Sequence, residues 1–448
     1  MDWEKLLSGK RKGAKLEHSD RTRSEFERDH DRILFSPAFR RLHDKTQVFP
    51  LPEHDHVHSR LTHTIETASV GYTLGKSCAE SVIKTYDTDV SSTDFGDIVS
   101  AACMAHDIGN PPFGHSGEKA IGSWFKEHRD DKCLKNLTTA QHYDLEYFEG
   151  NANGFRVVTK LQIHPDAGGM QLNYATLGAL VKYPQPSFDI EAANKADARS
   201  KKPRPAIFKK FNFFRSEEPM FEELMRECGI PPHRKWRGGW MRHPLAFLME
   251  AADDICYRVL DMEDGYVLKH IPYKAVEDAL IPIIRHDRRD FSLERDTEAE
   301  NVGHLRARAI TSLVHQARTF FIENLPSFTE GRIEDPIIEQ IPSAAAVERL
   351  REQNEIYCYK QPSVITIELA GYRVIGELLS EFVPAAVTKR DYRSAKQNKL
   401  VELLLPVDID GYDSDYERVL RVTDFISGMT DSHAISTYRR LMGVSISR

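Results

Sequence analysis

Two imidazoles and two carboxylates stand where helices would turn them toward one interior: His63, the adjacent pair His106-Asp107, and Asp253. A mixed nitrogen and oxygen set of this kind suits a divalent ion of the manganese, iron or magnesium type. An ion held by neutral imidazole and carboxylate keeps positions open for water and a phosphate oxygen. It lowers the pKa of that water and neutralises charge growing on phosphorus. Asp253 arrives mid-helix on an apolar face, in Ala251-Ala252-Asp253-Asp254, and burying such a carboxylate without a counter-charge is costly. Taken singly, each residue reads equally well as a hydrogen-bonded core histidine, a cap or an ion-pair partner. Taken together they point to a metal centre.

The His-Asp dipeptide itself is uninformative, because it also occurs at His30-Asp31, His43-Asp44, His54-Asp55 and His286-Asp287. Those four copies lie in strongly charged stretches and read as solvated surface. His106 differs because Phe95, Ile98, Val99, Ala102 and Cys103 recur at helical spacing before it. Ile108-Gly109-Asn110-Pro111-Pro112 then stops that helix. His115 and Glu118 follow at i, i+3, so they can touch if a helix begins there. A histidine oriented by a carboxylate is a ready proton carrier; a cap on a new helix is the alternative for this pair. Asp253, Tyr257 and Asp261 repeat at i, i+4, i+8 as a polar stripe that could wall in a sugar, or equally be a core tyrosine and a solvated Asp. Arg60 precedes His63 by three, where it could meet phosphate oxygens. Lys182, Lys209 and Lys210 are further phosphate candidates. No Walker-type loop or GxGxxG is present, so ATP-coupled and dinucleotide chemistry have no support.

The elements that must position these groups read as helices. Apolar positions from Ile65 to Leu74 place His63 in the first turn of one helix. A second ends at Asp107, and a third starts at Pro244, a residue suited to a first helical position. Later helices are expected around 305–324, 364–382 and 416–425. Val48-Phe49-Pro50-Leu51 and Ala206-Ile207-Phe208 are the candidates for short strands. The expectation is an all-α protein with at most a small β-hairpin. Because His63 and Asp253 must meet, 1–265 is expected to form one catalytic unit, carrying a basic, proline- and aromatic-rich loop at 182–214. Residues 266–448 would be a helical extension packed on it. A second loop is expected at 231–239.

The chain has 448 residues, 40% hydrophobic and 29% charged, as in a soluble globular protein. A net charge of −7 argues against indiscriminate nucleic-acid binding. Cys78, Cys103, Cys133, Cys228, Cys256 and Cys358 show no CxxC pairing and read as free thiols in a reducing compartment. With no signal pattern and no membrane-length apolar run, a cytoplasmic protein is expected.

Longer motifs carry a resemblance. Phe39-Arg40-Arg41-Leu42, Lys45-Thr46-Gln47-Val48-Phe49-Pro50-Leu51, Arg60-Leu61-Thr62-His63-Thr64-Ile65-Glu66 and the run from His106 to His115 resemble the bacterial deoxyguanosine triphosphate triphosphohydrolases of the HD-domain superfamily. Phe148-Glu149-Gly150-Asn151, Leu180-Val181-Lys182-Tyr183-Pro184, Ala251-Ala252-Asp253-Asp254-Ile255-Cys256-Tyr257 and Ile426-Ser427-Gly428-Met429-Thr430-Asp431 extend it almost to the C-terminus. The resemblance implies an HD-domain helical core, metal ligands at His63, His106, Asp107 and Asp253, and a catalytic pair at His115 and Glu118. It implies substrate contacts at Gln47, Arg60, Asn151, Lys182, Tyr183, Lys210, Tyr257 and Asp261. It further implies a manganese or magnesium ion, homo-oligomers that are often hexameric, and release of triphosphate from a deoxynucleoside triphosphate, dGTP above all. No motif falls in 264–361. The competing readings are an HD-type nucleotidase or phosphodiesterase, and a nucleotide- or single-stranded-DNA-sensing module supported by the basic, aromatic stretch 201–214.

Overall fold

Each helix that bears on the site has a local reason to begin where it does. The structure, a computed structural model, describes residues 1–13, 23–49, 57–163, 168–200, 204–289, 291–293, 297–404 and 408–444. Helix α1, Arg60–Tyr86, starts at Ser59, whose side chain accepts from the Thr62 amide. Helix α2, Ser92–Ala105, is opened by a capping box in which Ser91 and Asp94 satisfy each other's amides. Helix α3, Gly114–Glu127, has no side-chain cap. Helix α4, Gly150–Arg156, is short. Helix α5, Pro244–Val267, has proline at its first position and a histidine cap: His243 Nδ1 accepts from the Leu245 amide while Nε2 donates to the Leu6 carbonyl. Helices α6, Pro362–Val387, α7, Asp415–Ser427, and α8, Asp431–Leu441, close the chain.

Among the described residues the protein is helical with no strand, only isolated bridges such as Pro186 to Phe213. The strand expected at Ala206–Phe208 is instead a single 3-10 turn. Ile207 and Phe208 are both buried, whereas a half-buried strand would alternate, and three residues are too few for the two periods to be told apart. Val48 and Phe49 form a bend, and Pro50-Leu51 lie outside the described residues. The expected later helices are present as Glu298–Glu323, Pro362–Val387 and Asp415–Ser427. The basic loop is more ordered than its composition suggested, with a helix at Ile190–Asp197. Lys201, Lys202 and Pro203 fall outside the described residues. Phe208, Phe211, Phe213 and Phe214 are all fully buried, which leaves them no face on which a base could stack.

The buried apolar side chains form two clusters. One gathers the α1, α2 and α5 residues Leu74, Val99, Ala102, Leu248 and Ile255 with residues as late as Val364. The other joins Phe113, Ile121 and Phe125 of the α3 region to Val374, Leu378 and Phe382 of α6 and Val419 and Ile426 of α7. Five of the six cysteines are buried and all are free thiols. Among the described residues no helix is long and apolar enough to cross a membrane.

Candidate active site

The His106-Asp107 pair lies just beyond α2, because the chain turns through Ile108 and Gly109 instead of adding another helical turn. That turn presses against α4, and a Cβ on Gly109 would sit 2.0 Å from the Gly154 amide nitrogen, so only glycine fits. His106 Nδ1 donates to the Cys103 carbonyl at 2.6 Å. This bond fixes the tautomer and leaves the Nε2 lone pair free to point into the site.

His63 Nε2 is 3.3 Å from Asp253 Oδ1, and His106 Nε2 is 3.4 Å from the same oxygen and from Asp107 Oδ2. His63, His106 and Asp253 offer ligand atoms that all lie within 4.8 Å of one another, from α1, the end of α2 and mid-α5. His106 Nε2 is buried and makes no hydrogen bond among the described residues. A buried lone pair without a partner is rare, and two imidazoles with a carboxylate are a donor set that a divalent cation satisfies. The residues therefore fit a metal ion. Asp107 is held differently: Arg60 Nη1 donates to Oδ2 and Asn110 Nδ2 to Oδ1, both at 2.6 Å. Burial would raise its carboxyl, but Arg60 and then the two histidines outweigh that and hold it down at about 2. A carboxylate oxygen has a second lone pair, so these bonds leave Asp107 able to face an ion.

Above this group lies a cavity of about 230 Å³ lined by Gln47, Arg60, His106, Asp107, Asn110, His115, Asn151, Lys182, Tyr183, Lys210, Met249, Asp253, Asp254 and Tyr257. Most of the side chains singled out from sequence thus share one space. The exceptions are His63, Glu118, Lys209 and Asp261. His63 lies buried among the ligand group, edge-on to Tyr257. Glu118 stands behind His115, whose Nδ1 donates to its Oε2 at 2.9 Å. Glu118 Oε1 also accepts from the Gly150 amide at 2.8 Å. Against its burial, His115 and Lys210 hold Glu118 at about 2, and in return its charge raises His115. Asp261 is buried and accepts from Tyr359 Oη at 2.6 Å, and Tyr359 stacks on Tyr257.

Two further carboxylates that sequence reasoning gave no role, Glu250 and Glu149, help to anchor Lys182 and Lys210. Lys182 Nζ is 3.5 Å from Asp253 and 3.7 Å from Glu250, which in turn takes Arg242 at 2.6 Å. Lys210 Nζ is 2.9 Å from Glu149, which also accepts from Asn151 at 2.7 Å. Asn212 Oδ1 accepts from the amides of both Lys182 and Tyr183. Lys209 is exposed and does not line the cavity. Gln47 Oε1 is buried without a partner among the described residues. Of the other His-Asp copies, His43 and His286 are exposed, His30 is half-buried, and His54-Asp55 lie outside the described residues.

Comparison with known proteins agrees with this architecture. Residues 60–145 match the HD domain, and residues 341–440 match the phosphohydrolase-associated domain. A deoxyguanosinetriphosphate triphosphohydrolase-like protein of Synechocystis sp. is 37% identical over the full length of both chains. One from Pseudomonas aeruginosa is 38% identical over 99% of each. The deoxyguanosinetriphosphate triphosphohydrolase of Enterobacter sp. strain 638 is 32% identical over 94% of each. The chain is an HD-domain protein. Within that class, the chain belongs to the deoxyguanosinetriphosphate triphosphohydrolase-like family.

Proposed function

We propose that the protein hydrolyses deoxynucleoside triphosphates, dGTP among them, to deoxynucleoside and inorganic triphosphate. The observation that carries this reading is one cavity with a metal-binding group on its floor, a His-Glu pair at its rim and three cations, Arg60, Lys182 and Lys210, around it. The names of the family's relatives support the substrate class. His63, His106 and Asp253 would hold a divalent ion, manganese or magnesium, with Asp107 as fourth ligand. When bound, that ion supplies charge neutralisation at the α-phosphate.

The chain's own residues do the rest. Lys182, Lys210, Asn151 and Tyr183 hold the triphosphate, and Arg60 spreads its planar fork between Asp107 and a phosphate oxygen. Gln47 and Tyr257 wall the sugar, and Tyr359, bonded to Asp261, backs that wall. A water oxygen bonds to the α-phosphorus and the bond from phosphorus to the 5′-oxygen breaks. The departing oxygen needs a proton. Glu118 keeps His115 protonated to a higher pH than an ordinary histidine, so His115 serves as the acid that supplies it. The 5′-hydroxyl leaves with the nucleoside and the three phosphates leave as one anion.

Incubating the purified protein with each dNTP and manganese, and weighing the products by mass spectrometry, tests this. Deoxynucleoside with intact triphosphate is the expected pair. Orthophosphate or a monophosphate instead would favour an HD-type nucleotidase or phosphodiesterase.

A further inference from the structure

The stretch Ile426-Ser427-Gly428-Met429-Thr430-Asp431 contributes nothing to the cavity lining, yet it is bonded into the back of that wall. Asp431 is buried. Its Oδ2 accepts from the Thr46 amide at 3.0 Å and the Thr46 hydroxyl at 2.6 Å, and its Oδ1 accepts from the Phe113 amide at 2.9 Å. Each recipient leads directly to the site. Thr46 adjoins Gln47, and its carbonyl accepts from Arg60 Nη2 at 2.9 Å. Phe113 is the residue before α3, two positions from His115.

Two further side chains tie the same turn to the loop between them. Lys45 Nζ donates to the Asn110 carbonyl at 2.5 Å and the Ser427 carbonyl at 3.0 Å. Asn153 Nδ2 donates to the Gly109 carbonyl at 2.6 Å and to Ser427 Oγ at 3.2 Å. The entry to α3 needs such support. Phe113 adopts φ 63°, a left-handed conformation that disfavours a non-glycine residue, and α3 has no side-chain cap. Gly114 follows at φ 56°, where a Cβ would lie 2.9 Å from Arg60 Nη2. Among the described residues, none of the hydrogen bonds to the Asp431 carboxylate comes from a cationic side chain. Its three donors belong to the two segments that carry Gln47 and His115.

We propose that Asp431 is a positioning residue: one carboxylate sets the spacing between the substrate-holding segment 45–47 and the helix start that carries His115. The proposal rests on the reaction proposed above. Asn at 431 offers one oxygen and one amide NH2, but both of its ends face N–H or O–H donors, so one tie must break.

Steady-state kinetics with dGTP and manganese, metal content and hydrogen exchange of 109–118 are compared for wild type, Asp431→Asn and Thr46→Val. A misplacement on the order of 1 Å costs about 10²-fold in turnover, so Asp431→Asn is expected to lower kcat by about 10- to 100-fold. Metal content should stay at the wild-type level, KM should change far less than kcat, and the 109–118 amides should exchange faster. Thr46→Val, which keeps the amide bond and loses only the hydroxyl, should show a smaller loss of kcat of the same kind. Undiminished kcat in Asp431→Asn, or a loss matched by equal loss of metal, overturns the proposal. If Asp431→Asn does not fold, Thr46→Val decides, and unchanged kcat there overturns it. A wild type without turnover on any dNTP sinks the functional reading, and the proposal with it. Normal wild-type turnover with an indifferent Asp431→Asn sinks the positioning role alone.

Discussion

The His63–His106–Asp253 group and the His115–Glu118 pair use the same side-chain chemistry in opposite settings. The first is built on long helices that share one apolar cluster, and its two imidazoles are 3% and 8% exposed. The second sits on the first turn of α3, whose apolar face belongs to the other cluster, and the His115 side chain is 67% exposed. Burial holds the first pair of imidazoles against Asp253, with the His106 tautomer set by its bond to the Cys103 carbonyl. Exposure leaves the His115 imidazole in reach of solvent, as the proposed proton donor requires. The comparison teaches that the proposed site is a joint between two separately cored regions, one bearing the proposed metal ligands and one the proposed proton donor.

Disabling the first region should have the largest effect. Asp253→Ala removes the oxygen that both Nε2 atoms approach, at 3.3 and 3.4 Å, and metal content by atomic absorption and turnover are expected to fall together to background. Full activity without the ion would break the division of labour. Disabling the second region should leave the first intact: His115→Ala is expected to keep its metal while turnover drops roughly 10²–10⁴-fold, the range for a general acid. Loss of the ion in that variant would show that the two halves are not separable. The smallest and sharpest change is in Glu118→Gln. The carboxylate stabilises the protonated imidazole, so removing it lowers the His115 pKa toward the ordinary 6.5. The limb of the kcat–pH profile that His115 governs should therefore move to more acidic pH, with a milder loss of rate than in His115→Ala. A limb that stays in place would assign it to another group.

The helices that carry the ligand group were legible because their apolar residues recur over many turns, which fixes the buried face on which His63, His106 and Asp253 fall. The His115–Glu118 contact was legible because it is local, one turn of one helix. What sequence could not show are the ties between distant segments. Glu149, Glu250 and Asn212 hold Lys210, Lys182 and Tyr183 from other elements, and no spacing announces such a partner. Asp261 marks the limit of the stripe argument. Eight residues advance about 80° beyond two full turns of an α-helix, so Asp261 faces Tyr359 while Asp253 faces the histidines. Tyr359 itself lies in the stretch where no motif could be placed.

The histidine that caps α5 gives the protein a built-in acid threshold. His243 must be neutral, since Nδ1 accepts from Leu245 while Nε2 donates to Leu6, and burial lowers its pKa from 6.5 to about 4. Between those values the unfolded chain takes up a proton that the folded one refuses. Stability from this group is therefore whole above pH 6.5 and drains away as pH falls toward 4, by about 3 kcal/mol in all. The helix undercut is the one that carries Asp253, so acidification should loosen the metal-bearing region before the proton-transfer region. Acid titration followed by hydrogen exchange should show the amides at 243–250 losing protection ahead of those at 114–127; the reverse order would place the weak point elsewhere.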